Sequence, residues 1–508
     1  MTGRRVRRES RWWARPGAGL LGVLTVLGAG FAAATATAPE PRTISPAAPR
    51  PASTVPVARA SLACPDPVVD TATTTSVSVA APGPRPLSRR ARGTTGAYDL
   101  SELAPDGAVA AQGGAPGSSR VTVAPGSGPL VARGLGSAAP GLAAGQLTRS
   151  TDATMRGLAG VSCTAPVTDA WFVGSGAVVG QRGRVYLTNP EAAPAVVDIT
   201  LYGPDGPLDA PDARGVTVAP GAQEVRLLDA LAPGAERFAV QVHARQGRIS
   251  AAVRDLQVAG LTPLGADWVP VAAAPSRQAV VAGVPAGPGR RLLQVVAPGD
   301  SDAIVRLRII SAAGAVSPPG LDVIEVRAGS VTEVDLAPFT GEQPVSVALR
   351  ADRPVTAGVL ARVGGRAGLL GDIAYAAAAT PLTPRTPGVV TEVSQGEQVS
   401  TRLLLTAPGG AAVVRLAPLP PATGTAMTVD VDAASLLEVD VATISPQAAY
   451  ALVVSPAPGS GPVLAVSQVT EAEARGPMLT SSPVQPGRYV VAVPRVVADL
   501  SAGLRLGR

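Results

Sequence analysis

The chain is predicted to be all-β, a series of tandem immunoglobulin-like antiparallel β-sandwich repeats behind a smaller amino-terminal β domain. Three observations carry this. From Trp171 onward one order of features recurs three times, at a spacing of about 106 to 110 residues, a period that suits a sandwich domain of roughly 100 residues. The segments are short, alternate polar with apolar residues, and are separated by Pro-Gly, Asn-Pro and Gly-x turns, the pattern of antiparallel strands. No window after the first 38 residues shows helical periodicity. The alternative all-β architecture is a β-propeller, each repeat supplying two four-stranded blades. Self-similarity over the whole repeat, and not over its half, favours sandwiches.

In chain order, Arg4, Arg5, Arg7, Arg8, Arg11 and Arg15 form a basic head, followed by an uncharged run from Gly17 to Ala38. Charged head, apolar run and small-residue site are the order of a secretory signal, with cleavage between Ala36 and Thr37. The same run is long enough for an uncleaved membrane anchor. Both readings for residues 1–38 carry the rest of the chain across the membrane. Residues 39–60 are dense in Pro, Ala, Ser and Thr and read as an extended, disordered tether. Residues 61–170 read as an amino-terminal β domain, with strands at Thr75–Val79 and Arg120–Val123 and a basic loop from Pro82 to Thr95. Cys64 and Cys163, an even count in an exported chain, are expected to pair and close it.

Three repeats follow, at 171–270, 271–380 and 381–508. Each opens on an apolar strand ending in a turn: Tyr186 to Pro190, Leu293 to Gly299, Leu403 to Gly409. An alternating strand comes next, at Val196–Tyr202, Ile304–Ile310 and Val413–Ala417. The last feature matches most closely, with Ile249, Val355 and Val463 in equivalent places. Arg488 to Val497 resembles the Val280–Pro285 strand and is expected to close the third repeat.

The elements that organise the repeats also resemble a known family. Cys64-Pro65, Arg156-Gly157-Leu158-Ala159 leading to Cys163, Trp171-Phe172-Val173-Gly174, Asn189-Pro190 and Ala266-Asp267-Trp268-Val269-Pro270 resemble the actinobacterial DUF5719 family of exported proteins. The Cys-x7-Trp-Phe-Val-Gly stretch is the most distinctive part. The resemblance implies no activity, cofactor or ligand, and points to the cell envelope for partners.

Composition excludes several functions. The formal net charge is +6, but six Arg and one Glu in the first sixteen residues carry +5 of it, leaving about +1 for the remainder. Aromatics are only 3% of the chain. A nucleic-acid binder needs clustered positive charge interleaved with aromatics. His243 is the only histidine, which rules out His-pair metal sites, and its alternating strand turns it to solvent. The glycines from Trp171 to Gly180 lack the spacing and the following helix of a dinucleotide site. No catalytic residue, metal site or cofactor is assigned. Asp267 and Asp372 are read as equivalent turn or solvent-face residues between modules, Asp430 and Asp432 as one face of a strand, and Asp300 and Asp302 as flanking a turn. Trp171 and Trp268, at module edges, are the candidates for contacting a ligand, with junction packing as the alternative.

Function is therefore expected to be a non-catalytic structural or interaction scaffold, secreted or held at the membrane by its amino-terminal segment. A carbohydrate-binding or glycan-active envelope protein is the alternative. The expected partner is a cell-envelope protein or glycan, with the membrane a second partner if the anchor stays, and no nucleic acid.

Overall fold

A computed structural model describes residues 53–67, 72–84, 96–104, 106–124, 126–364 and 368–493. The expected signal segment with Ala36 and Thr37, most of the expected tether and the basic loop at 85–95 lie outside the described residues. Those from Thr54 to Ala492 form one compact unit. Among the described residues helix is limited to single turns such as Leu228–Leu231 and Ala337–Thr340. Among the described residues no helix is long and apolar enough to cross a membrane.

The protein is all-β, with antiparallel pairing throughout. The segment 171–270 shows the plan. Its strands are Asp169–Ser175, Arg184–Asn189, Ala195–Gly203, Val216–Val218, Ala222–Leu227, Phe238–Gln246, Ser250–Ala259 and Thr262–Val269, with a short extra strand at Gly206–Pro207. The first, sixth, third and fourth make one sheet; the fifth, second, seventh and eighth make the other. This interleaving differs from the immunoglobulin arrangement, in which four strands ordered A-B-E-D face C-F-G. The two sheets share an apolar core that includes Phe172, Leu187, Ile199, Val240 and Val253. The third strand alternates strictly between buried and half-buried residues from Ala195 to Gly203, as a strand with one covered face must.

The same order recurs in the two later repeats. In the repeat at 271–380 one long strand, Val345–Val363, supplies both the sixth and seventh positions, its first half in one sheet and its second half in the other. Ile249, Val355 and Val463 are each fully buried in their own unit's core. The repeat also reaches one copy further toward the amino terminus than its sequence pattern reveals. Strands from Arg59–Cys64 to Gly157–Ser162 form the same pair of four-stranded sheets in the same order. The cysteines are joined here, Cys64 to Cys163, across a separation of 99 residues.

The expectation of units in a row is corrected by their packing: the four close into a ring. Trp268 and Tyr186 of the second unit pack on Ala159 of the first. Trp171 and Val173 of the second meet Val296 and Val331 of the third. Ala282 and Ile310 of the third meet Leu404 and Leu464 of the fourth. Val389 and Leu419 of the fourth return to Ala80 of the first. Polar contacts reinforce this last junction: Ser76 and Ser78 donate to Glu392 at 2.9 and 2.8 Å, and Arg149 pairs with Glu471 at 2.5 Å. The second strands explain why the ring forms. Arg291–Ala297 is buried along its whole length, because one face covers its own core and the other covers the neighbouring unit.

Two further expectations are corrected at the chain ends. Ser53–Pro56, placed in the tether, is a strand paired with Val490–Val493. The terminal strand is therefore taken up by the start of the described chain and not by the last repeat.

Candidate functional site

Each unit ends on a strand that forms the edge of its second sheet. Gly157–Ser162, Thr262–Val269, Asp372–Ala377 and Met478–Pro483 are these four, and they meet about one axis. A sheet edge carries backbone N–H groups with no strand to pair them. Burying four such edges together demands acceptors, and two aspartates supply them.

Asp267 is fully buried. Its Oδ1 accepts from Trp268 N at 2.8 Å on its own strand, Gly160 N at 3.2 Å in the first unit and Thr480 Oγ1 at 2.9 Å in the fourth. Its Oδ2 accepts from Tyr375 N of the third unit at 3.3 Å. One carboxylate thus ties all four units together. Asp372, also buried, accepts from Ile373 N at 2.9 Å, Leu479 N at 3.0 Å and Leu158 N at 3.3 Å.

Both differ from the solvent-face residues expected of them, and they are not equivalent. Eight residues beyond the matched Ile249, Val355 and Val463, the seventh strands carry Gln257, Val363 and Glu471. Their partners on the axial strands are Gly265, Asp372 and Met478. Asp372 therefore stands where the second unit has Gly265, and Asp267 where the third has Ala374. The glycine is required: Gly265 has φ +133, and a Cβ there would collide with Asp372 Oδ1. A Cβ at Gly157 would come within 3.1 Å of the same oxygen. Asp372 fills space that two other units leave open.

Burial pushes the Asp372 carboxyl up to about 8, against the lowering pull of the N–H groups of Leu479, Ile373 and Leu158 and the charge of Arg156. Burial also holds Asp267 well above the carboxylate range, and the nearby Asp372 charge adds to this. Beside them lies a third buried carboxyl, Asp255, directly across the strand pair from Asp267. Its Oδ2 accepts from Gln181 and Gln257, each at 2.8 Å, and from the Tyr375 hydroxyl. Burial raises Asp255 as well.

The entry end of the axial strands is closed by Arg156, which is 1% exposed. It donates to Gly371 O at 3.0 Å, to the carbonyls of Gly476 and Pro477, and to Glu473 Oε2 at 3.2 Å. The other end is open. A cavity of about 1040 Å³ extends there, bounded by the ends of the axial strands near Ser162, Val269, Thr380 and Ser482 and by the edges of the first and fourth units. Of the acidic groups on its wall, Glu191 pairs with Arg248 and Glu392 with Arg120 at 3.0 Å, while Asp169 lies 3.0 Å from His243 Nδ1.

The remaining expected residues fall as follows. His243 is half-exposed on its strand, bonded through Nδ1 to Asp169. The glycine-rich stretch after Trp171 runs from the strand Asp169–Ser175 through a loop to the strand Arg184–Asn189. Asp430 and Asp432 are exposed. Asp300 and Asp302 flank an exposed turn, where Asp302 Oδ1 accepts from Ala328 N at 2.8 Å. Trp268 is buried among Tyr186, Ala252 and Ala159 with the Arg254 guanidinium 6.0 Å from its ring centre. Trp171 is 5% exposed and stacks at 5.4 Å on Tyr202, at the foot of a smaller cleft between the second and third units. Arg156, Asp255, Tyr375 and Thr480 were not singled out from sequence as site residues: Arg156 stands in a stretch that resembles the family but carries no assigned role, and the other three stand in no recognisable motif. Charged or polar residues inside otherwise apolar strands, as in Ala266-Asp267-Trp268-Val269, were the available signal.

The model of DUF5719, a family of unknown function, matches residues 117–442, well over half of the chain. The match begins in the first unit and ends in the fourth. The chain belongs to this family. No curated protein matches it.

Proposed function

We propose that this member of DUF5719 is an exported interaction scaffold of the cell envelope, a rigid ring that binds a partner at the open end of its axis without transforming it. The observation that carries this is how the carboxylates are used. Hydrolysis of a glycan needs two carboxyl groups facing one another across a substrate cleft. Asp267 and Asp372, the two held close on the axis, are buried and bonded to the backbone of the ring. Around the cavity, Glu191 and Glu392 are each paired with an arginine and Asp169 is bonded to His243. Export is supported by the Cys64–Cys163 disulfide, which persists in oxidising compartments, and by the Arg-rich head with its uncharged run.

The test is to incubate the exported chain with cell-envelope glycan and protein fractions, following binding and release of new reducing ends together. Retention of a fraction without turnover is the expected result. Turnover that is lost in Glu392→Gln would overturn the reading in favour of a glycan-active enzyme. The mass of the exported chain separates cleavage before Thr37 from an uncleaved anchor.

A further inference from the structure

We propose that the cavity at the open end of the axis is a binding site for an extended peptide segment, with Gln146 as its central contact. The proposal rests on the reading of the chain as a binding protein. Gln146 lies on the seventh strand of the first unit, lines the cavity and is 3% exposed. Neither its amide oxygen nor its amide nitrogen has a hydrogen-bond partner. A buried amide left in this state costs stability, so its presence calls for an explanation beyond packing.

The repeat supplies the comparison. Gln146 is paired in register with Val77 and Val161. The same place in the second unit holds Val253, and in the third Val359, both fully buried in their cores. The fourth unit has Ser467, which also lines the cavity. Polar residues thus replace the core valine in the first and fourth units, on the two sides of the ring closure, while the second unit, which borders the cavity through residues such as Ala251 and Val269, keeps it.

The chemistry of the ligand follows from what is unpaired. Gln146 presents an N–H donor and a C=O acceptor side by side, the complement of the N–H and C=O that one residue of an extended strand turns to the same edge. The first strand of the same unit, Arg59–Cys64, is bonded on one edge to Leu130–Leu135. On its other edge Ala63 exchanges both backbone bonds with Thr164, at 2.9 and 3.0 Å. Ser61, two residues back and so turned to the same edge, lines the cavity. An extended peptide can add to such an edge and set an amide against Gln146. Among the described residues Phe172 is the one aromatic on the cavity wall and is itself fully buried, so a sugar ring finds no exposed aromatic face there to stack on.

The experiment uses the full exported chain and two probes: the blocked peptide acetyl-Ala-Ala-Ser-Ala-amide, and chitotetraose, which carries the same amide on a sugar. Binding is read by calorimetry, and folding by the thermal midpoint. The peptide is expected to bind, and Gln146→Val, which restores the residue of the other units, to weaken it about 10-fold or more without lowering the midpoint. Failure of the native chain to bind the peptide at millimolar concentration, or equal binding by Gln146→Val, overturns the proposal. Binding of chitotetraose alone overturns the peptide assignment. Envelope material retained equally by the native chain and Gln146→Val overturns the cavity while leaving the scaffold reading standing.

Discussion

The two ends of the axis are built from the same four strands and treat buried polar groups in opposite ways. At the entry end, Arg156 and Asp372 are surrounded by backbone partners from several units, and glycines at 157 and 265 clear the space for them. At the exit end the strands part around a cavity, and Gln146 is buried with both amide atoms unpartnered. The difference separates two uses of a buried polar group. Where every donor finds an acceptor, the group holds the ring together. Where a group is left unpaired beside open space, it is available to something that enters.

The largest expected effect lies at the open end, whose wall includes Cys163. Reducing the Cys64–Cys163 disulfide frees a loop of about 100 residues, which the chain-entropy model values at about 4 to 5 kcal/mol. Since the first unit is a quarter of a closed ring, denaturant unfolding after reduction should shift for the whole body. A shift confined to the first unit would mean that the units fold separately. Alkylation should label no thiols before reduction and two after it.

At the closed end, Arg156→Ala leaves the carbonyls of Gly371 and Gly476 without their donor, while Glu473 keeps Arg475. The expected loss is about 1 to 3 kcal/mol, the cost of leaving buried polar groups unpaired, read as a lower denaturation midpoint. Loss below about 1 kcal/mol would show that water replaces the guanidinium.

The next effect is a pH dependence with a defined sign. Asp372 sits at about 8 in the fold, above its ordinary value of 3.8. A carboxyl raised on folding contributes stability in its neutral form, fully present below about 4 and lost as pH rises toward 8. Asp267 and Asp255 are shifted in the same direction. Stability of the native ring should therefore fall between pH 5 and 8. Asp372→Asn should flatten that slope while leaving the fold intact, as circular dichroism and denaturant titration at each pH would show.

Much of this architecture was legible in the sequence, and the part that was not has a physical cause. Ile249, Val355 and Val463 revealed the repeat because each fills the same place in a separate core. Ring closure was hidden because it depends on faces that look like ordinary strand residues. Its trace was the predominantly apolar runs Leu293–Ala297 and Leu403–Ala407, each broken by one polar residue, Gln294 and Thr406, where a sandwich with a solvated outer face would alternate. The first unit escaped notice because its strands are rich in Gly, Ser, Thr and Ala, as in Thr73–Ala81, so its periodicity is weak. Asp267 and Asp372 were misplaced for a related reason. A separation of about one repeat made them look equivalent, and only the strand register shows Asp372 opposite Val363 and Asp267 opposite Asp255. The stretches around Arg156 and Asp267 that resemble DUF5719 include two of the four axial strands.

The claim that four units meet on one axis is tested most directly by a double-mutant cycle between Asp267 and Thr480. They lie 213 residues apart in sequence and are joined by a hydrogen bond of 2.9 Å. Denaturant unfolding of Asp267→Asn, Thr480→Val and the pair should give a coupling of about 1 kcal/mol, within the range found for residues in contact. Additive effects, within about 0.3 kcal/mol, would contradict the ring and return the units to a row.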